Sequence, residues 1–146
     1  MNKGNWLVAG GIASLAVAIL HIGIILAGAP AYRYFGAGEE MAQMSEAGSP
    51  LPALVTFAIV VVFFIWGLYA FSALGWIRRL PLLRFGLITI SAMYTLRGLG
   101  FILQLIWKLR SPLSVANSDI VFSLASLLIG VFYSIGTWKN WSLTAN

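Results

Sequence analysis

Long apolar stretches alternate along this chain with short polar ones. Apolar residues run almost unbroken over about 6–29, 52–75, 85–107 and 119–138, and segments richer in Gly, Pro, Ser and charge separate them. A hydrocarbon layer about 30 Å thick is crossed by about 20 helical residues rising about 1.5 Å each, so each stretch is long enough. Strands of a membrane barrel would alternate over segments of about ten residues, whereas Val60-Val61-Val62-Phe63-Phe64-Ile65 is continuous. Lipid offers no partner to backbone N–H and C=O groups, and helices satisfy them internally. The expected fold is therefore all-α: a polytopic membrane protein built as one four-transmembrane-helix bundle, a single domain over 1–146.

The distribution of charge orients the bundle. Lys3, Arg78, Arg79, Arg84 and Lys139 fall at the N-terminus, the 76–84 loop and the C-terminus, while Arg33, Lys108 and Arg110 fall in the 30–51 and 108–118 loops. The arginines of the 76–84 loop dominate this balance, and the positive-inside rule places that loop and both termini in the cytoplasm. The 30–51 loop, with Glu39, Glu40 and Glu46, is then extracytoplasmic. The first stretch also resembles a signal peptide, with Lys3 ahead of it and Ala27-Gly28-Ala29 at its end. Its apolar run exceeds the roughly 7–15 residues of a signal core, and Pro30 follows the small residues directly, so a retained helix is expected. With no organellar signal, the simplest location is a bacterial inner membrane.

Composition narrows the chemistry. The chain is 60% hydrophobic and 9% charged, against roughly 25% charged in soluble proteins. It has no cysteine, which excludes disulfides and thiol catalysis. The net charge of +5 comes mostly from residues at helix ends, where it anchors and orients, so no nucleic-acid partner is expected. Trp6, Trp76, Trp107, Trp138, Trp141, Tyr32 and Tyr34 sit near span boundaries, the usual place of amphipathic rings. Trp66 lies mid-span, and its N–H requires a partner or a polar surrounding. Ser49-Pro50-Leu51 and Ser111-Pro112-Leu113 both mark helix starts.

Polar and small residues recur at helical spacing in three spans. The first carries Gly10, Ser14, Ala18, His21 and Gly28; the third Ser91, Tyr94, Arg97, Phe101 and Gln104; the fourth Asp119, Ser123, Ser126, Gly130, Ser134 and Thr137. Steps of three, four or seven keep each set on one face, and small residues let helix backbones approach in lipid. The three stripes are expected to meet, and bundle packing accounts for Gly10, Ser14, Ala18 and Gly130.

His21 and Arg97 are the only acidic or basic side chains well inside any span. A charge near the centre of a spanning helix costs roughly 2.5–3.5 kcal/mol on insertion scales. Arg97 is therefore expected to bind an anion or headgroup, to pair with Glu39, Glu40 or Asp119, or to hydrogen-bond backbone carbonyls. His21 has three readings: a hydrogen-bonded histidine of the bundle, a proton carrier, or a ligand to metal or haem. A metal would need Glu39, Glu40 or a second protomer to complete its coordination, so no metal site is assigned, and no residue pattern names a cofactor. The 30–51 connection exceeds the usual 2–8 residues. Its Glu39–Glu46 part, with Met41 and Met44 three apart, is expected to form a short helix on the membrane surface.

These features predict an outward-opening polar pocket under the 30–51 loop. Its candidate ligand-binding residues are Arg97, His21, Gln104, Tyr94, Asp119, Ser123 and Trp66. Such a pocket would bind or transport a small anionic or lipid-like amphipathic molecule. One alternative is an accessory subunit, with the small-residue faces docking a membrane partner or a second copy. The other is an enzyme with His21, Glu39 and Glu40 as catalytic groups and Arg97 stabilising negative charge. Membrane lipids are partners under every reading.

Overall fold

Six helices make up most of the chain. The computed structural model describes residues 4–110 and 117–141. Its helices are α1 (Asn5–Ala27), α2 (Ala29–Tyr34), α3 (Glu39–Glu46), α4 (Leu51–Ala73), α5 (Leu83–Arg110) and α6 (Asn117–Lys139). The described residues form no strand. Four helices, α1, α4, α5 and α6, are long and apolar enough to cross a membrane. Their ends lie within about three residues of the expected ones, little more than the usual ambiguity of helix termini. The second Ser-Pro-Leu triplet, Lys3, and the side chains of Phe101, Gln104 and Lys108 lie outside what the structure describes.

The local reasons for these elements are legible. α4 starts where Ser49 Oγ accepts the Leu51 N–H at 3.3 Å, and Pro52 lies in its first turn, where a missing N–H is harmless. Gly28 ends α1 and precedes α2 with φ 69° and ψ −143°, a conformation essentially confined to glycine. The chain breaks helix there and resumes it one residue later with Pro30 in the first turn of α2. Gly38 caps α3 with φ 98°.

The chain divides into two compact units, one of Met1–Ser14 with Trp66–Asn146 and one of Leu15–Ile65. In the first, α5 packs along α6 with little between their backbones. A β-carbon on Gly98 would lie 2.5 Å from Leu127 Cα, and one on Gly130 would lie 2.9 Å from the Thr95 backbone nitrogen. Small residues at these crossings permit the approach on which helix association in lipid depends. Gly10 leaves room for the Tyr133 ring, and Gly136 for Leu7. Leu7, Ala70, Leu87 and Ile90 complete the buried interior. The α4–α5 loop is held by Ser72, whose Oγ donates to the Arg78 carbonyl and accepts the Leu80 N–H, and by Tyr69, whose hydroxyl donates to the Pro81 carbonyl.

In the second unit α2 packs on α3. Ile24, Ala29, Tyr32 and Ala42 form its small core, with Ala31 and Phe35 against it. The short helix expected in the 30–51 segment is present as α3. Tyr32 departs from its expected place as an interfacial anchor. It is buried in the cluster with Ile24, Ala29 and Ala42, its hydroxyl unpartnered. Tyr34, Trp76, Trp107, Trp138 and Trp141 are exposed, whereas Trp6, expected beside them, is half-buried with its ring 5.9 Å from that of Phe132.

Candidate functional site

A chain of hydroxyls runs through α1, α4, α5 and α6. Ser14 Oγ lies 3.0 Å from the Tyr94 hydroxyl and 2.9 Å from that of Tyr133. The Tyr133 hydroxyl donates to the Trp66 carbonyl at 2.9 Å. The donors follow by elimination. A carbonyl only accepts, so the Tyr133 proton is committed to Trp66; Ser14 therefore donates to Tyr133, and Tyr94 donates to Ser14. One directional relay, Tyr94 to Ser14 to Tyr133 to Trp66, joins all four long helices. The Trp66 ring meets Tyr94 edge-on at 5.0 Å, and Tyr94 stacks on Tyr133 at 5.9 Å.

Two expected site residues, Trp66 and Tyr94, meet here. Ser14, read from sequence as packing alone, is the hinge of the relay. Tyr133 did not emerge from the sequence reading, which followed the small polar residues of the fourth span and passed over the tyrosine beside Ser134. The rule applied to Trp66, that a mid-span polar tip needs a partner, finds Tyr133 equally well.

Arg97 lies apart from this relay. It is exposed on α5, although Tyr94 and Gly98 on the same helix are buried. Gly98 meets Leu127, and at about 100° per residue Arg97 sits a quarter-turn from that line, on the flank of α5. The stripe read through Ser91, Tyr94 and Arg97 thus turns out of the α5–α6 contact at Arg97, since successive three-residue steps drift about 60°. No side chain among the described residues pairs with its guanidinium. On α6, Asp119 is half-buried in the first turn, where the helix dipole favours a carboxylate. Ser123, one turn on, is buried, and Ser126 Oγ donates to the Phe122 carbonyl.

His21 belongs to the other unit. Its Nδ1–H donates to the Val17 carbonyl at 2.8 Å, and its ring packs on Phe63 at 5.3 Å. With the proton fixed on Nδ1, the neutral ring has Nε2 as its acceptor. Among the described residues no group of three His, Asp, Glu or Cys side chains is placed to hold a metal ion.

The carboxylates of the 30–51 segment are largely occupied. Arg33 Nε and Nη2 bond both oxygens of Glu39 at 2.9 and 2.8 Å, and Nη1 bonds Glu46 at 2.7 Å. One guanidinium thereby clamps the first and last residues of α3. Glu39 suits the helix N-terminus, whereas Glu46 opposes the dipole at the C-terminus, and Arg33 offsets that opposition. Hydrogen bonds from Arg33 hold the carboxyls of Glu39 and Glu46 below the usual carboxylate range. Groups with depressed folded-state pKa stabilise the fold above the ordinary carboxylate pKa and lose that contribution as pH falls through the folded values. The α2–α3 clamp is therefore intact at neutral pH and opens in acid. Carboxyl chemical-shift titration checks this: Arg33→Gln raises the midpoints of Glu39 and Glu46, and unmoved midpoints would refute the clamp.

Comparison with models of known protein families, with curated protein sequences and with solved structures returns no match for this chain.

Proposed function

We propose that the chain is a multi-pass membrane protein that binds an anionic amphipathic molecule through Arg97. Support for membrane insertion comes from the four long apolar helices and from what covers them. Leu26, Leu54, Phe85 and Leu103 are each more than three-fifths exposed, on every long helix except α6, where Val121 and Trp138 take the same place. Soluble monomers rarely expose contiguous apolar patches beyond a few hundred Å². The basic α4–α5 loop and both termini face the cytoplasm in this reading.

The observation that carries ligand binding is Arg97 itself. It is the fifteenth residue of the 28-residue α5, about 20 Å from either end, and no described side chain neutralises it. A guanidinium keeps its charge and offers a planar fork that matches carboxylate and phosphate. Arg33 engages Glu39 and Glu46, leaving Arg97 with a charge that an anion from outside the chain can satisfy. Amphipathic character follows from the apolar residues around it, Met93, Leu96 and Leu99, all exposed.

Binding of dihexanoyl phosphatidic acid to the purified chain in neutral detergent tests the reading. Arg97→Ala weakens it about tenfold or more, the loss of one charge-assisted hydrogen-bonding partner, with Arg97→Lys retaining part of the affinity. Equal affinity in wild type and Arg97→Ala overturns the proposal. An accessory role would show instead as loss of a co-purifying protein from Arg97→Ala with phosphatidic acid binding unchanged.

A further inference from the structure

A groove of about 330 Å³ runs between α5 and α6, lined by Ile88, Ala92 and Thr95 on one side and Ser134, Thr137 and Trp138 on the other, with Ser91 in its floor and Trp141 at its end. Its volume is at the lower end of the range for small-molecule sites. We propose that it holds an acyl chain of an anionic phospholipid whose phosphate lies against Arg84. The inference goes beyond the Arg97 reading and uses none of its residues.

The serines of the lining are paired within the protein. Ser134 Oγ donates to the Gly130 carbonyl at 2.8 Å, and Ser91 Oγ lies 2.6 Å from Ser134 Oγ. Ser134's proton is committed to Gly130, so Ser91 donates to Ser134, and both hydroxyl protons are spent within the protein. The Thr137 hydroxyl, buried and without a partner, is left over among these groups. Methyl and methylene surfaces remain, which suit a hydrocarbon chain.

The end of the groove specifies the headgroup. Trp138 is 82% exposed and Trp141 45%, as rings at headgroup depth are. The Arg84 guanidinium stacks over the Trp141 ring at 3.9 Å, and its Nη2 donates to the Trp141 carbonyl at 3.0 Å. Its Nε–H has no partner. Arg78 and Arg79 lie exposed on the loop just before α5, and Arg84 is in the first turn of α5, where the dipole also favours an anion. The chain has four side-chain carboxylates, Glu39, Glu40, Glu46 and Asp119. Asp119 opens α6, whereas the groove ends at the opposite terminus of that helix, about 28 Å away at helical rise. Arg84 stands at one end of an apolar slot, with Arg78 exposed on the preceding loop, the complement of an anionic phospholipid.

Native mass spectrometry of the full chain with long-chain phosphatidylglycerol or phosphatidylcholine tests this. The wild type retains phosphatidylglycerol in preference to phosphatidylcholine. Arg84→Gln reduces that preference about fivefold, the contribution of one arginine near anionic headgroups. Ala92→Phe fills the groove and removes the tightly held lipid of either kind. Trp138→Ala, at an exposed position that does not threaten folding, removes a wall and weakens retention, so the test survives a misfolded Ala92→Phe. Arg97→Ala leaves this lipid in place, which separates failure of this proposal from failure of the Arg97 reading. Unchanged lipid retention in both Arg84→Gln and Trp138→Ala overturns the proposal, as does Trp138→Ala dissociating a dimer without changing lipid binding, which would assign the groove to a second copy.

Discussion

Gly98→Leu separates α5 from α6 and destabilises the protein by about 3 kcal/mol, the upper part of the usual range for overpacking. The obstruction is main chain: the added β-carbon would lie 2.5 Å from Leu127 Cα and 2.6 Å from its nitrogen, and no rotamer change moves those atoms. A competing term has the opposite sign, because replacing a helical glycine with a side chain gains roughly 0.8–1 kcal/mol of intrinsic propensity. The clash wins at Gly98. At Gly100, where a β-carbon meets nothing within 4 Å, propensity wins and Gly100→Ala stabilises. Unfolding midpoints in mixed micelles measure both. The close crossing at Gly98 is refuted if Gly98→Leu and Gly100→Ala shift the midpoint in the same direction.

Tyr133→Ala has a comparable or larger effect, about 3–5 kcal/mol for loss of a buried aromatic side chain. Tyr133→Phe isolates the hydroxyl. Hydrogen bonds between membrane helices average about 0.6 kcal/mol and reach about 1.7, and two are lost here, so about 1–3 kcal/mol is expected. Ser14→Ala interrupts the same relay one step earlier. The double variant Ser14→Ala with Tyr133→Phe is therefore less destabilised than the sum of the single ones, since each single change already breaks the shared bond. Additive single effects in a double-mutant cycle would show that the two hydroxyls act separately.

The four long helices were legible because lipid imposes one requirement, length of apolar helix, that a linear sequence displays directly. Glu39–Glu46 was legible for a similar reason, with a glycine before it and acidic residues opening it. The relay was only half legible. Trp66 and Tyr94 stood out as polar tips in apolar runs, but which hydroxyls meet depends on helix rotation and on space cleared by Gly10 opposite Tyr133. Arg97 shows the same limit. Its position was evident, whereas its flank could not be fixed by a stripe of three-residue steps, which drifts around the helix. The role of Arg33, clamping both ends of α3, was hidden because Glu39 and Glu46 are six and thirteen residues away and come together only when α2 folds back on α3.

The relay also sets an order for biogenesis. Ser14 precedes its relay partner Tyr133 by 119 residues. Synthesis in chain order leaves Ser14, Trp66 and Tyr94 without their common partner until Tyr133 of α6 is made. Arrival of α6 is thus the event that completes the relay. A nascent chain cut short before Tyr133 therefore leaves the Ser14 hydroxyl without its relay acceptor and the Trp66 carbonyl without its donor.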